Sequence, residues 1–179
     1  MAVSGIYVAN DGVLGVVAPI GMAAAVGTCL VVDLCEGDPT GGVTLATLVR
    51  DGPSSEQLRP KRRGVSFLRN GGIAPQDAGE VVRALCGNWP NVVLRVGASD
   101  ELVGEVGAVT VRAILSGPFV AEPEVGAVLQ PTGLGATPKN HHGHVLSRLS
   151  VRTVRTVLAG GVNQRSAWVR SWRPVWAGL

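Results

Sequence analysis

Residues 29–34 read Cys29-Leu30-Val31-Val32-Asp33-Leu34, and the chain runs on through Gly37-Asp38-Pro39 to Gly41-Gly42-Val43-Thr44-Leu45. An apolar run without polar alternation marks a strand covered on both faces, the situation of a strand inside a parallel sheet. Asp33 closes the run. Asp-Pro and the glycine pair then supply turn chemistry, and Thr40–Val49 is a helix candidate opening just after Pro39. Strand, turn and helix in that order form the repeating unit of an α/β protein.

Working outward, similar runs mark strands at Val13–Ala18, Gly64–Leu68, Asn91–Val96, Ala108–Leu115 and Val125–Gln130. Helices fall between them. Pro75–Cys86 carries Ala78, Val81, Val82 and Leu85 at i, i+3, i+4 and i+7, with acids early and Arg83 late, as the helix dipole prefers. Val145–Leu158 reads as an amphipathic helix whose Arg148, Arg152 and Arg155 form one stripe. The pattern predicts an α/β fold: a mainly parallel, Rossmann-like sheet with helices on both faces, and a basic helical C-terminal region. Residues 1–130 are read as the α/β domain, 131–144 as a loop and 145–179 as the basic segment. Ten residues, 19–28, separate the Val13–Ala18 strand from the next. That leaves at most two helical turns at 20–27, with the second strand beside or near the first and Asp33 facing the loop of Gly41 and Gly42.

The composition agrees with a compact chain. Of 179 residues, 46% are hydrophobic and 16% charged, which excludes a disordered chain. Residues 12–32 are uncharged, long enough to span a bilayer. They carry four glycines and Pro19, and no Lys or Arg precedes Arg50 to orient insertion. Two buried strands account for the same residues. The three cysteines, Cys29, Cys35 and Cys86, include no CxxC pair and suit a reducing, cytoplasmic setting.

Taken with the order of the flanking segments, these words resemble the ParA/MinD-like ATPases, especially divergent relatives tied to septum placement and to pilus or secretion loci. In that family a strand ends in an Asp-x-Asp-Pro turn beside the nucleotide. Asp33 matches the first acid, and Asp38-Pro39 matches the rest if the turn carries an insertion, because Cys35 stands where the second acid belongs. Gly64–Leu68 followed by Gly71-Gly72, and Trp89-Pro90-Asn91-Val92-Val93-Leu94-Arg95-Val96, resemble the next two strands in order. The resemblance covers about residues 12–115.

The departures bear on function. A phosphate-binding loop needs glycine N–H groups, a lysine on the phosphates and a Ser or Thr on Mg²⁺. The only lysines are Lys61 and Lys139, and no Gly-Lys-Ser/Thr occurs. Arg95 and Gly97 stand where the family's acid at the end of the fourth strand belongs. The resemblance thus implies a relative without phosphate binding or hydrolysis, with no cofactor and no catalytic residue, acting as a scaffold or regulator of a septum-site or pilus/secretion machinery. Two other classes draw on the same features. One is a small-ligand-binding or enzymatic Rossmann-like protein using the carboxyl ends of the strands. The other is a nucleic-acid-binding accessory protein using the basic tail. His141, His142 and His144 cluster in a Pro/Gly loop without nearby Cys or acid, and read as solvated rather than metal-binding.

The charge is segregated along the chain. Residues 137–179 carry seven basic side chains and no acid, whereas 64–136 sum to −3. Trp168, Trp172 and Trp176 recur every four residues among Arg165, Arg170 and Arg173. Trp and Arg anchor interfaces. The expectation is therefore a docking segment, Arg148, Arg152, Arg155, Trp168, Trp172 and Trp176, for a protein partner such as an ATPase or assembly platform. Fold-back of the tryptophans onto the domain is the close competitor. Nucleic acid and a membrane surface are further candidate partners for the arginines.

Overall fold

The computed structural model describes residues 2–8, 12–35, 42–60, 63–97, 101–116, 126–132 and 143–179. The elements are β1 (Ala2–Val8), α1 (Val13–Ala25), β2 (Cys29–Asp33), α2 (Leu45–Asp51), β3 (Val65–Leu68), a 3-10 turn (Pro75–Ala78) leading into α3 (Gly79–Asn88), β4 (Asn91–Val96), α4 (Glu101–Glu105), β5 (Val109–Ser116), β6 (Val128–Pro131), α5 (Val151–Leu158), α6 (Ala167–Arg170) and α7 (Arg173–Ala177). The strands form one six-stranded sheet in the order β3-β2-β4-β1-β5-β6. Every pairing is parallel. The architecture is the Rossmann-like α/β fold expected from the apolar runs.

Alternation along the strands sorts the core into two halves. Val31, Val93 and Val111 turn to a layer built from α1, α5, α6 and α7. Leu30, Val32, Val92 and Leu94 turn to the opposite layer, built from α2, α3 and α4. Strands covered on both sides need apolar residues at every position, hence the unbroken runs.

Two expectations are corrected. Val13–Ala18 is not a strand but the first half of α1, a helix of 13 residues. Ten of its residues are buried, so it is apolar all round, and periodicity cannot separate such a helix from a buried strand. The limit of two helical turns at 20–27 falls with it. The first strand is Ala2–Val8, whose Ser4 and Gly5 disguise it. Ser4 is buried and its hydroxyl donates to the Val109 carbonyl at 3.0 Å. A Cβ on Gly5 would lie 2.9 Å from Val103 Cγ1, so α4 approaches β1 closely only because that side chain is missing. β2 lies near β1, with β4 between them.

The helix expected at Val145–Leu158 forms only from Val151. Ser150 caps it, accepting from the Thr153 N–H at 3.1 Å. The preceding residues are extended: Val145 bridges Leu129, and Leu146 N–H donates to the Leu129 carbonyl at 2.8 Å. Arg148 therefore precedes the helix, and only Arg152 and Arg155 belong to it. Among the described residues no helix is long and apolar enough to cross a membrane.

Candidate functional site

The carboxyl ends of the central strands place Asp33 of β2 directly beside Arg95 of β4 in register. Arg95 Nη1 donates to both carboxylate oxygens of Asp33, at 2.9 Å to Oδ2 and 3.1 Å to Oδ1. The Cys35 N–H adds a bond to Asp33 Oδ1 at 3.0 Å, and the Leu34 N–H donates to the Arg95 carbonyl at 2.9 Å. Both side chains are partly buried. A charge-assisted bond in such a place is strong, and it directs the acid at the end of β2 onto an arginine of the same sheet.

Gly42, before α2, has a φ of 105°. Asp38, Pro39 and Gly41 of the expected signature lie outside the described residues. Thr44 caps α2: its hydroxyl accepts from the Thr47 N–H at 3.2 Å, and Thr47 Oγ1 accepts from the Thr44 N–H at 2.9 Å. The same segment joins the end of β3, where the Leu45 N–H donates to the Arg69 carbonyl at 2.8 Å. The Gly71-Gly72 loop is pinned by Asn70, whose Oδ1 accepts from the N–H groups of Gly72 and Ile73 at 2.8 and 2.9 Å. Gly71 has a φ of 80°, and a Cβ there would run into the Thr44 side chain. A hollow of about 330 Å³ opens beside the ion pair, between α1, β3 and the end of α5.

The tryptophans are not presented outward. Trp168 and Trp172 are 1% and 0% exposed, edge to face at 6.1 Å, and rest on α1 where Gly21 lacks a side chain. Trp168 Nε1 donates to Gln130 Oε1 at 2.6 Å, and Trp176 Nε1 to the Met22 carbonyl at 2.7 Å. The docking expectation for Trp168 and Trp172 is corrected to fold-back, because an indole sealed in the core meets no partner while the domain is closed. Arg148, Arg152 and Arg155 are exposed. His144 is exposed, while His141 and His142 lie outside the described residues. Among the described residues no three His, Cys, Asp or Glu side chains gather as a metal site. Sequence reasoning missed Gln130, Gly21 and the Asp33–Arg95 contact; only the parallel register brings the last two groups together.

No protein-family model matches the chain, and no curated protein matches its sequence. Solved structures do match. A ParA family ATPase from Chlorobium tepidum TLS superposes with a TM-score of 0.67 at 13% identity, over 99% of each chain. The fold is shared with that ATPase. A cobyrinic acid a,c-diamide synthase from Mycobacterium smegmatis, solved with bound ADP and magnesium, matches with a TM-score of 0.44 at 15% identity, over 96% of this chain and 92% of that one. At 13% identity the likeness to the ParA family ATPase is one of fold.

Proposed function

We propose that this chain is a non-catalytic ParA/MinD-like scaffold or regulator that docks on a partner ATPase or assembly platform, of the septum-site or pilus/secretion kind. The observation that carries this reading is the Asp33–Arg95 pair. The resemblance implies carboxylates at these strand ends beside a nucleotide. Here one of the two positions is a cation, and it occupies the other's carboxylate. A second feature supports it. The sequence between β1 and α1 and into the first turns of α1, where a phosphate loop would sit, reads Asn10-Asp11-Gly12-Val13-Leu14-Gly15-Val16-Val17, with valines in place of a lysine and a hydroxyl. The exposed arginines of the α5–α7 layer suit an acidic face on the partner.

Calorimetric titration of the purified protein with ATP and Mg²⁺ tests the reading. The expected result is no saturable heat. Magnesium-dependent binding at about 1 μM, roughly −8 kcal/mol, would overturn it.

A further inference from the structure

Exposed apolar side chains scattered singly are ordinary, but here several converge. Val16 of α1, Phe67 of β3 and Leu158 of α5 are each close to half exposed or more, and all three line the 330 Å³ hollow. Val43 is equally exposed and lines a second hollow of about 460 Å³, again with Phe67. The first hollow borders α1 and α5; the second borders α2 and α3 through Leu48 and Leu85. They therefore lie in opposite layers and meet at β3. β3 is the end strand, paired with β2 on one side and with no strand on the other among the described residues.

We infer that the β3 edge is a docking surface for an extended segment of a different protein chain, one carrying alternate apolar side chains flanked by Asp or Glu. An extended segment sends successive side chains to opposite faces, which is the arrangement of the two hollows. Its charge follows from the rim. Arg59 and Arg63 are exposed along the edge, Arg63 two residues before β3. The acids lining the hollows are Glu56 and the Arg95-bound Asp33. A second copy of this chain is the wrong occupant: it would bring a second set of the exposed Arg59 and Arg63 to the same basic edge, and like charges across paired strands repel. The proposal rests on the scaffold reading by giving the partner its landing site.

The test is selection of a phage-displayed random peptide library on the folded full-length protein. The expected winners combine alternating apolar residues with Asp or Glu. Their affinity should fall at least tenfold in Phe67→Glu, fall in Arg59→Glu/Arg63→Glu, and weaken with added salt. Leu158→Asp, outside the sheet, serves as the second variant if Phe67→Glu disturbs β3. Four outcomes would overturn the proposal: no enrichment, winners without acids, binding indifferent to both apolar variants, or self-association in sedimentation that Phe67→Glu abolishes. Magnesium-ATP binding would sink the scaffold reading while leaving this selection unchanged, so the two failures are told apart.

Discussion

Gly21 and the indoles of Trp168 and Trp172 show what a single hydrogen-for-methyl exchange does in this core. A Cβ at residue 21 would enter the Trp168 ring and crowd Trp172 Nε1, and neither ring has room to retreat. Gly21→Ala is expected to destabilise the domain by about 1–3 kcal/mol, the usual cost of overpacking. Trp168→Ala or Trp172→Ala removes a sealed indole and should cost about 3–5 kcal/mol. Urea unfolding followed by circular dichroism reads all three; losses within about 0.5 kcal/mol would return the tryptophans to the surface. The thiols differ in a testable way too. Burial pushes the Cys29 thiol up to about 12 and Cys86 up to about 11, while Cys35 is partly accessible. Iodoacetamide at pH 8 should label Cys35 in the native protein and all three cysteines after unfolding, as counted by mass spectrometry. The sign of the pH effect follows. The folded state holds two protons that the unfolded chain releases near its ordinary value of 9.0. This contribution is intact below pH 9 and lost as pH rises through about 11 and 12. Cys29→Ala should flatten that alkaline loss.

Between elements, the contact on which the proposed function rests joins β2 to β4. Removing one member of the Asp33–Arg95 pair leaves the other charge in a partly covered site, with the Cys35 N–H still aimed at residue 33. Arg95→Ala should cost about 1–3 kcal/mol, the penalty of stranding a polar group, discounted because both side chains keep some solvent contact. A double-mutant cycle with Asp33→Asn measures the pairing itself; a coupling near zero would reduce it to an incidental surface contact. α1 carries the other lesson at this scale. Its length, its Pro19 and its glycines are tolerated because tertiary packing, rather than helix propensity, holds it.

Across the whole molecule, charge segregated along the chain becomes charge segregated in space. The α5–α7 layer exposes Arg152, Arg155, Arg165, Arg170 and Arg173, and residues 137–179 contain no acid to offset them. The opposite layer exposes Asp51, Asp77, Glu80, Glu101 and Glu105, with Arg50 bound to Asp51 at 2.7 Å and Arg83 to Glu105 at 3.2 Å. The basic layer is also half of the core, since Val157, Trp168, Val169, Trp172 and Val175 cluster with α1. Deleting residues 145–179 would uncover α1, and the truncated chain is expected to lose cooperative thermal unfolding. A sharp transition in the deletion would mean that the tail is an appendage.

The sequence by itself determined the α/β class, the parallel character of the sheet and the places of five of its six strands, because a strand covered on both faces must be apolar at every position. The same rule explains the failure at Val13–Ala18: a helix apolar all round obeys it equally. It also explains why Ala2–Val8 escaped notice, since its Ser4 and Gly5 answer to neighbours on β5 and α4 that are distant in the chain. Strand order, the meeting of Asp33 with Arg95 and the burial of Trp168 and Trp172 were decided only by the tertiary structure. Apolarity records that a residue must leave water; which partner receives it is set by pairings across 60 residues or more, such as Asp33 with Arg95, 62 apart, and Trp176 with Met22, 154 apart.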